Sequence, residues 1–221
     1  MKKKLIQITI LLAASCGLVA ATRTAITEDG DTVILYQDGT WKTQVKKESN
    51  ESKSSHFRKV RWGDSKEKVK GSEDLELVHD ESDILGYQTK VAGLDTLVAY
   101  IFVKDKLVRS KYIITERHTN ANDFISDYKK LKEALTQKYG TPYDDETFWK
   151  NDLYKDDYED WGMALKVGHL VYISNWKTPD TEIGLLLSGE NYDIDLQVEY
   201  ISKKLEALED QKAEQEKMNA L

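Results

Sequence analysis

The chain has 221 residues, 39 acidic and 32 basic, for a formal net charge of −7. At 40% hydrophobic and 32% charged, with five Trp and twelve Tyr, its composition argues against both an integral membrane protein and a disordered chain. A single cysteine excludes a disulfide framework and a cysteine-based zinc cluster, and net acidity without a basic block in the body argues against a nucleic-acid partner.

The N-terminus reads Met1-Lys2-Lys3-Lys4 followed by an apolar run from Leu5 to Ala14. A basic start before about 10 apolar residues is the pattern of an export signal, and the run is too short to span a bilayer as a helix. Two endings are open. Val19-Ala20-Ala21 places small residues where a signal peptidase needs them, with cleavage after Ala21. Alternatively, Ala13-Ala14-Ser15-Cys16 is a degenerate lipobox, and Cys16 becomes a lipidated first residue that anchors the chain to a membrane. Either cut removes the three leading lysines and no acid, leaving 29 basic against 39 acidic groups and a net charge of −10. The expected location is the periplasm, with a lipid-anchored envelope protein as the alternative and no transmembrane helix in the mature chain.

Residues 22–45 predict a small β-meander, with Asp29-Gly30 and Asp38-Gly39 at its turns. Three short strands bury too little apolar surface to stand alone. Residues 46–56 hold no apolar side chain and read as a flexible linker. The main domain is expected over 57–202. Asp64 and Glu67 form a capping-box pattern for a short helix. Strands are expected at Leu75–His79, Ile84–Val91, Thr96–Val103 and Leu107–Thr115, with a turn through Lys104-Asp105-Lys106.

The clearest helix is 121–139. Phe124, Ile125, Tyr128, Leu131 and Leu135 recur every three or four residues and make one apolar stripe. Asn120 or Asn122 is placed to cap its start, and Gly140 with Pro142 to stop it. Three further strands are expected at Leu170–Lys177, Glu182–Ser188 and around Ile194–Tyr200, with a turn at Gly189-Glu190-Asn191. In the last strand, Ile194, Leu196, Val198 and Tyr200 alternate with polar residues, the period of an antiparallel strand with one buried face. Grouped strands define an α+β class: an antiparallel sheet of about six to seven strands packed by one long and one short helix. Residues 203–221 predict a charged helical tail in which Glu209 with Lys212 and Glu214 with Lys217 are spaced as i,i+3 pairs.

Chemical motifs are scarce. The four histidines, His56, His79, His118 and His169, form no H-E-x-x-H or i,i+4 pair. No nucleophile elbow, P-loop or dinucleotide fingerprint occurs, and an EF-hand loop begun at Asp29 fails because its sixth position is Ile34. No catalytic residue, metal ligand or cofactor is therefore assigned. The unusual segment is 143–161, with eight acids, two lysines and six aromatics. Trp149, Tyr154, Tyr158 and Trp161 among Asp156, Asp157, Glu159 and Asp160 form the candidate binding set for a basic protein, cell-wall glycan or hydrated cation. The competing reading is a long connection pinned to the core by Phe148, Trp149 and Trp161.

Two stretches carry a resemblance. Thr27-Glu28-Asp29-Gly30 through Asp38-Gly39-Thr40-Trp41 resembles the N-terminal "TEDG…DGTW" stretch of many exported bacterial proteins. Phe57-x-x-Val60-x-Trp62-Gly63-x-Ser65-x-Glu67-x-Val69, over roughly 13 residues, is similar to the opening of SmpA/OmlA-like and β-lactamase-inhibitor-protein-like envelope domains, and Tyr139-Gly140-Thr141-Pro142 to their post-helix turn. The resemblance implies short helices on an antiparallel sheet and a role in binding other proteins, although no tandem repeat is evident in the helix-to-strand order. The expectation is an exported, non-enzymatic module that binds an envelope protein or cell-wall material. The alternatives are a hydrolase or glycan-active enzyme using carboxylates such as Asp157 and Glu159, and a periplasmic small-molecule-binding protein.

Overall fold

The computed structural model describes residues 5–9, 23–27, 32–35, 40–43 and 55–219, and the chain divides into two units, Met1–Ser54 and Ser55–Leu221. In the first unit, β1 (Leu5–Thr9), β2 (Arg23–Thr27), β3 (Thr32–Leu35) and β4 (Trp41–Thr43) pair antiparallel in chain order. The last three are the expected meander, and β1 comes from the apolar run read as an export signal. Cys16, the cut after Ala21, the turns at Asp29-Gly30 and Asp38-Gly39, and linker residues 46–54 lie outside the described residues.

The second unit is α+β. Its first half runs α1 (Lys66–Ser72), β5 (Glu76–Glu81), β6 (Ile84–Val91), β7 (Leu94–Val103) and β8 (Lys106–Ile114). Its second half runs α2 (Asp123–Tyr139), β9 (Asp144–Trp149), α3 (Trp161–Lys166), β10 (Leu170–Lys177), β11 (Thr181–Glu190) and β12 (Asp193–Ser202), and α4 (Glu206–Asn219) follows. The antiparallel sheet has the order β5-β6-β7-β8-β12-β11-β10-β9. Each half is thus a helix followed by a four-stranded meander, with α3 inserted in the second, and β8 joins β12 at the centre. The helix-to-strand order, in which no tandem repeat is evident from the sequence, is thus repeated in the fold: the halves share an architecture, not a legible sequence pattern. It also places β5 and β9 on the two outer edges.

The sheet has eight strands rather than six or seven, because β9 forms within the segment read as a connection. Among the described residues the unit has four helices: the expected short and long ones, the expected helical tail as α4, and α3 in addition. Tight turns set the register of the meanders. Ala92-Gly93, Lys104-Asp105 and Asn191-Tyr192 each hold two consecutive residues at positive φ, the conformation that matches the twist of a hairpin. The last of these corrects the turn expected at Gly189-Glu190-Asn191: β11 continues to Glu190, and Gly189 serves a close approach. A Cβ on Gly189 would run into the Leu165 carbonyl of α3.

Alternation along the strands separates two faces. Tyr100, Ser110 and Tyr200 are register partners on the buried face, together with Val98, Val198, Leu187 and Leu185. Ile125, Tyr128, Leu131 and Leu135 of α2 and Val69 of α1 belong to the same core, as the apolar spacing of α2 predicts. Phe57 ties the halves together, with ring centroids 5.5 Å from Tyr100, 4.9 Å from Tyr112 and 4.8 Å from Tyr200. Burying an aromatic side chain of this kind contributes roughly 1.5–3 kcal/mol.

The caps differ in detail from expectation. Ser65, not Asp64, caps α1, accepting from the Lys68 amide, while Asp64 accepts from the Arg61 amide. At α2 the Asn122 side chain makes no cap bond of its own helix and is used elsewhere, while Asn120, the other expected cap, accepts from the Asn122 amide at 3.0 Å. Gly140, at φ +85°, closes α2 with its amide on the Thr136 carbonyl at 2.9 Å. On the opposite sheet face, α4 is held to β8 by Arg109, whose guanidinium reaches Glu209 at 2.9 Å and Glu199 at 2.8 Å.

Candidate binding surface at the outer edge of the sheet

β9 pairs only with β10 among the described strands, so its other edge carries backbone groups without a ladder partner. Register places Asp145, Thr147 and Trp149 opposite Ser174, Tyr172 and Leu170, on the buried face. Asp144, Glu146 and Phe148 therefore point to the other face. Phe148 is 44% exposed, which corrects its assignment as a core pin. Asp145 is locked in place, accepting from Ser174 Oγ at 2.7 Å and pairing with Lys132. Partial burial raises its pKa, but the Lys132 and Ser174 hydrogen bonds outweigh this and hold the carboxyl below its ordinary value.

Beyond β9 the chain turns through 150–157 and enters a 3₁₀ turn, Tyr158–Asp160, that leads into α3. Asp157 caps this turn by accepting from the Glu159 amide at 2.9 Å. Trp149 and Trp161 meet edge to face at 5.5 Å, and Tyr158 lies against Trp161 at 5.0 Å. The Trp161 indole donates to the Lys155 carbonyl at 3.0 Å, which closes the loop on itself. Three of the four predicted aromatics therefore form one cluster. Tyr154 stands apart from it and stacks on His169 at 5.8 Å.

The predicted acids do not converge. Asp156, Asp157, Glu159 and Asp160 are all exposed around the 3₁₀ turn. Asp156, Glu159 and Asp160 form no ion pair with any described residue. Among the aromatics, Tyr158 is 48% exposed, and Lys129 Nζ lies 5.9 Å from its ring. Leu153, at 70% exposure, Phe148 and Met163 add apolar surface that sequence reasoning missed. Phe148 was detectable in principle, since it alternates with Thr147 and Trp149 once the segment is read as a strand.

Asn122 fixes this region from below. Its side-chain amide donates to the Tyr158 and Glu159 carbonyls at 3.0 and 3.1 Å and accepts from the Gly162 amide. The arrangement presents a rigid, partly apolar surface rimmed by negative charge beside an open strand. Such a surface suits recognition of an extended, positively charged chain.

No family model matches the chain, and no curated protein or solved structure is significantly similar to it.

Proposed function

We propose that this chain is an exported, non-enzymatic binding module of the cell envelope, and that it takes an extended basic segment of another envelope protein along β9. The observation that carries this reading is the unpaired outer edge of β9 beside exposed Phe148 and Tyr158 and the acids Glu146, Asp156 and Glu159. Strand addition to a free edge gives affinity through main-chain hydrogen bonds, and the flanking side chains give selectivity. The chain's net charge of −7 adds attraction for a basic partner. Export is supported by the lysines and apolar run at residues 2–14, and a binding role by the resemblance over Phe57–Val69.

The test places a photo-crosslinker at Phe148 and, as a control, at Val78 on the opposite edge strand β5. The expected result is a discrete protein adduct from position 148 only, reduced at least tenfold by Glu146→Lys with Glu159→Lys. Equal adducts from both edges, or co-sedimentation with purified cell wall in place of a protein adduct, would overturn the protein-partner reading. Fractionation of Cys16→Ser distinguishes the two export forms: lipid anchoring predicts its release from the membrane fraction, and cleavage after Ala21 predicts no change.

A further inference from the structure

A cavity of about 320 Å³ lies against the start of the second unit, walled by His56, Trp62, Lys106, Asp180, Ser202 and Lys204. These residues come from the loop before α1, the start of β8, the β10–β11 turn and the end of β12. The volume is at the lower end of the range for small-molecule sites.

The aromatic wall is immobilised from three directions. The Trp62 indole N–H donates to Thr181 Oγ1 at 2.8 Å, and the Trp62 amide donates to His56 Nδ1 at 3.0 Å. The two rings lie parallel within 7° at 6.1 Å. Because Nδ1 accepts a hydrogen bond, the imidazole carries its proton on Nε2, the atom that faces Asp180 Oδ2 at 3.9 Å. A planar wall built this way is preorganised, so a ligand ring meets no ordering cost from it.

Charge and an orphaned hydroxyl complete the site. Lys204 reaches Asp180 at 2.8 Å. Lys106, in the same wall, forms no ion pair with a described residue. Ser202 is 1% exposed, and its hydroxyl has no hydrogen-bond partner among the described residues. A buried hydroxyl without a partner is unfavourable, and rotation about its one Cα–Cβ bond lets it turn to a polar atom that enters the cavity.

We propose that this cavity binds a small planar organic anion. The ring lies against the Trp62 indole and the Leu205 side of the cavity, the anionic group sits at Lys106 and Lys204, and the Ser202 hydroxyl gives the ligand a hydrogen bond. The site is independent of the β9 surface, so either reading can fail without the other.

The test is a titration of ¹⁵N-labelled protein with benzoate to about 10 mM, a range that detects millimolar dissociation constants. The Trp62 indole N–H resonance is the reporter, and benzyl alcohol serves as the uncharged control ring. The expected result is a saturable shift at Trp62, at least tenfold weaker with benzyl alcohol and at least tenfold weaker in Lys106→Gln/Lys204→Gln. Both lysines are exposed, so the variant keeps its fold, and core resonances away from Asp180 are the check on that. Ser202→Ala is expected to weaken benzoate severalfold without lowering the melting temperature, since the lost hydroxyl had no partner. Absence of a saturable Trp62 shift, an equal response to benzyl alcohol, or unchanged binding in the double lysine variant overturns the proposal.

Discussion

Asn122 and Gly162 are joined across forty residues by a hydrogen bond from the Gly162 amide to the Asn122 side-chain oxygen. This bond seats the start of α3 on the start of α2 with no room between them. A Cβ on Gly162 would lie 2.7 Å from both the Ala121 Cβ and the Asn122 backbone nitrogen. Backbone cannot yield as a flexible side chain does, so Gly162→Ala is expected to destabilise the second unit by about 1–3 kcal/mol. Asn122→Ala removes three hydrogen bonds and is expected to cost about 1–3 kcal/mol. Denaturant unfolding of the two variants checks both values. If Gly162→Ala is neutral, the close seating of the two helices is wrong.

The elements that were legible are those whose pattern is local. The stripe Ile125-Tyr128-Leu131-Leu135 announces α2, and the alternation Leu196-Val198-Tyr200 announces the buried face of β12. β9 was hidden because Asp144-Asp145-Glu146 are poor strand formers, and pairing with β10 imposes the strand on them. At six residues, α3 is too short to show a helical period. The two-fold plan of helix plus meander is a matter of shape, which residue types do not record. The candidate surface was half legible. Composition singled out Trp149, Tyr158 and Trp161 as a group, but only the strand register turns Phe148 outward. The cavity beside Trp62 was not legible at all, since its walls lie more than a hundred residues apart in the chain.

Glu73 is the buried partner of Arg58. Its carboxylate receives Nε at 2.9 Å and Nη2 at 3.1 Å, has no side-chain exposure, and also accepts from the Tyr100 hydroxyl. This network pins the loop carrying Phe57 and Trp62 to the end of α1. Removing one partner of a largely buried pair leaves the other desolvated and uncompensated. Glu73→Gln is therefore expected to cost about 3 kcal/mol, and Arg58→Ala/Glu73→Gln less than the sum of the single variants. A double-mutant cycle in urea measures the coupling, and strict additivity would show that the pair is not an energetic unit.

The attachment of α4 should depend on pH. Glu199 of β12 positions Arg109, which grips Glu209 of α4; burial pushes the Glu199 carboxyl up, but the hydrogen bond and charge of Lys111, followed by the charge of Arg109, outweigh it, and its pKa is lowered from 4.5. Asp83, which Lys212 of α4 contacts, is also lowered, chiefly by that hydrogen bond. A carboxylate with a lowered folded pKa contributes its full stability above the unfolded value and loses it as pH falls through the folded one. The Asp83–Lys212 contact to α4, and the Glu199 carboxylate that positions Arg109 behind it, are thus complete at neutral pH and weaken progressively below about pH 4.5. Hydrogen exchange of α4 amides should accelerate, relative to the core strands and after correction for intrinsic rates, as pH falls from 6 to 3. Asp83→Asn should flatten that dependence. A protection ratio independent of pH would exclude these carboxylates as the tether.

Exposure divides the aromatic cluster at the sheet edge into two roles, and substitution can separate them. Trp149 and Trp161 are partly buried and lean on the core, so Trp149→Ala is expected to cost about 2 kcal/mol, below the 3–5 kcal/mol typical of a fully buried Trp. Phe148 and Tyr158 are about half exposed, and their replacement by Ala is expected to change stability by less than about 0.5 kcal/mol. If β9 is the contact strand, the same two substitutions should lower crosslinked adduct formation at Glu146, on the same face as Phe148, at least fivefold, because exposed aromatics beside a free edge supply binding surface and not fold stability. Thermal melts and adduct yields on the three single variants decide the matter. A loss of melting temperature with Phe148→Ala comparable to that of Trp149→Ala, at unchanged adduct yield, would assign the whole cluster to the core and remove β9 as a contact surface.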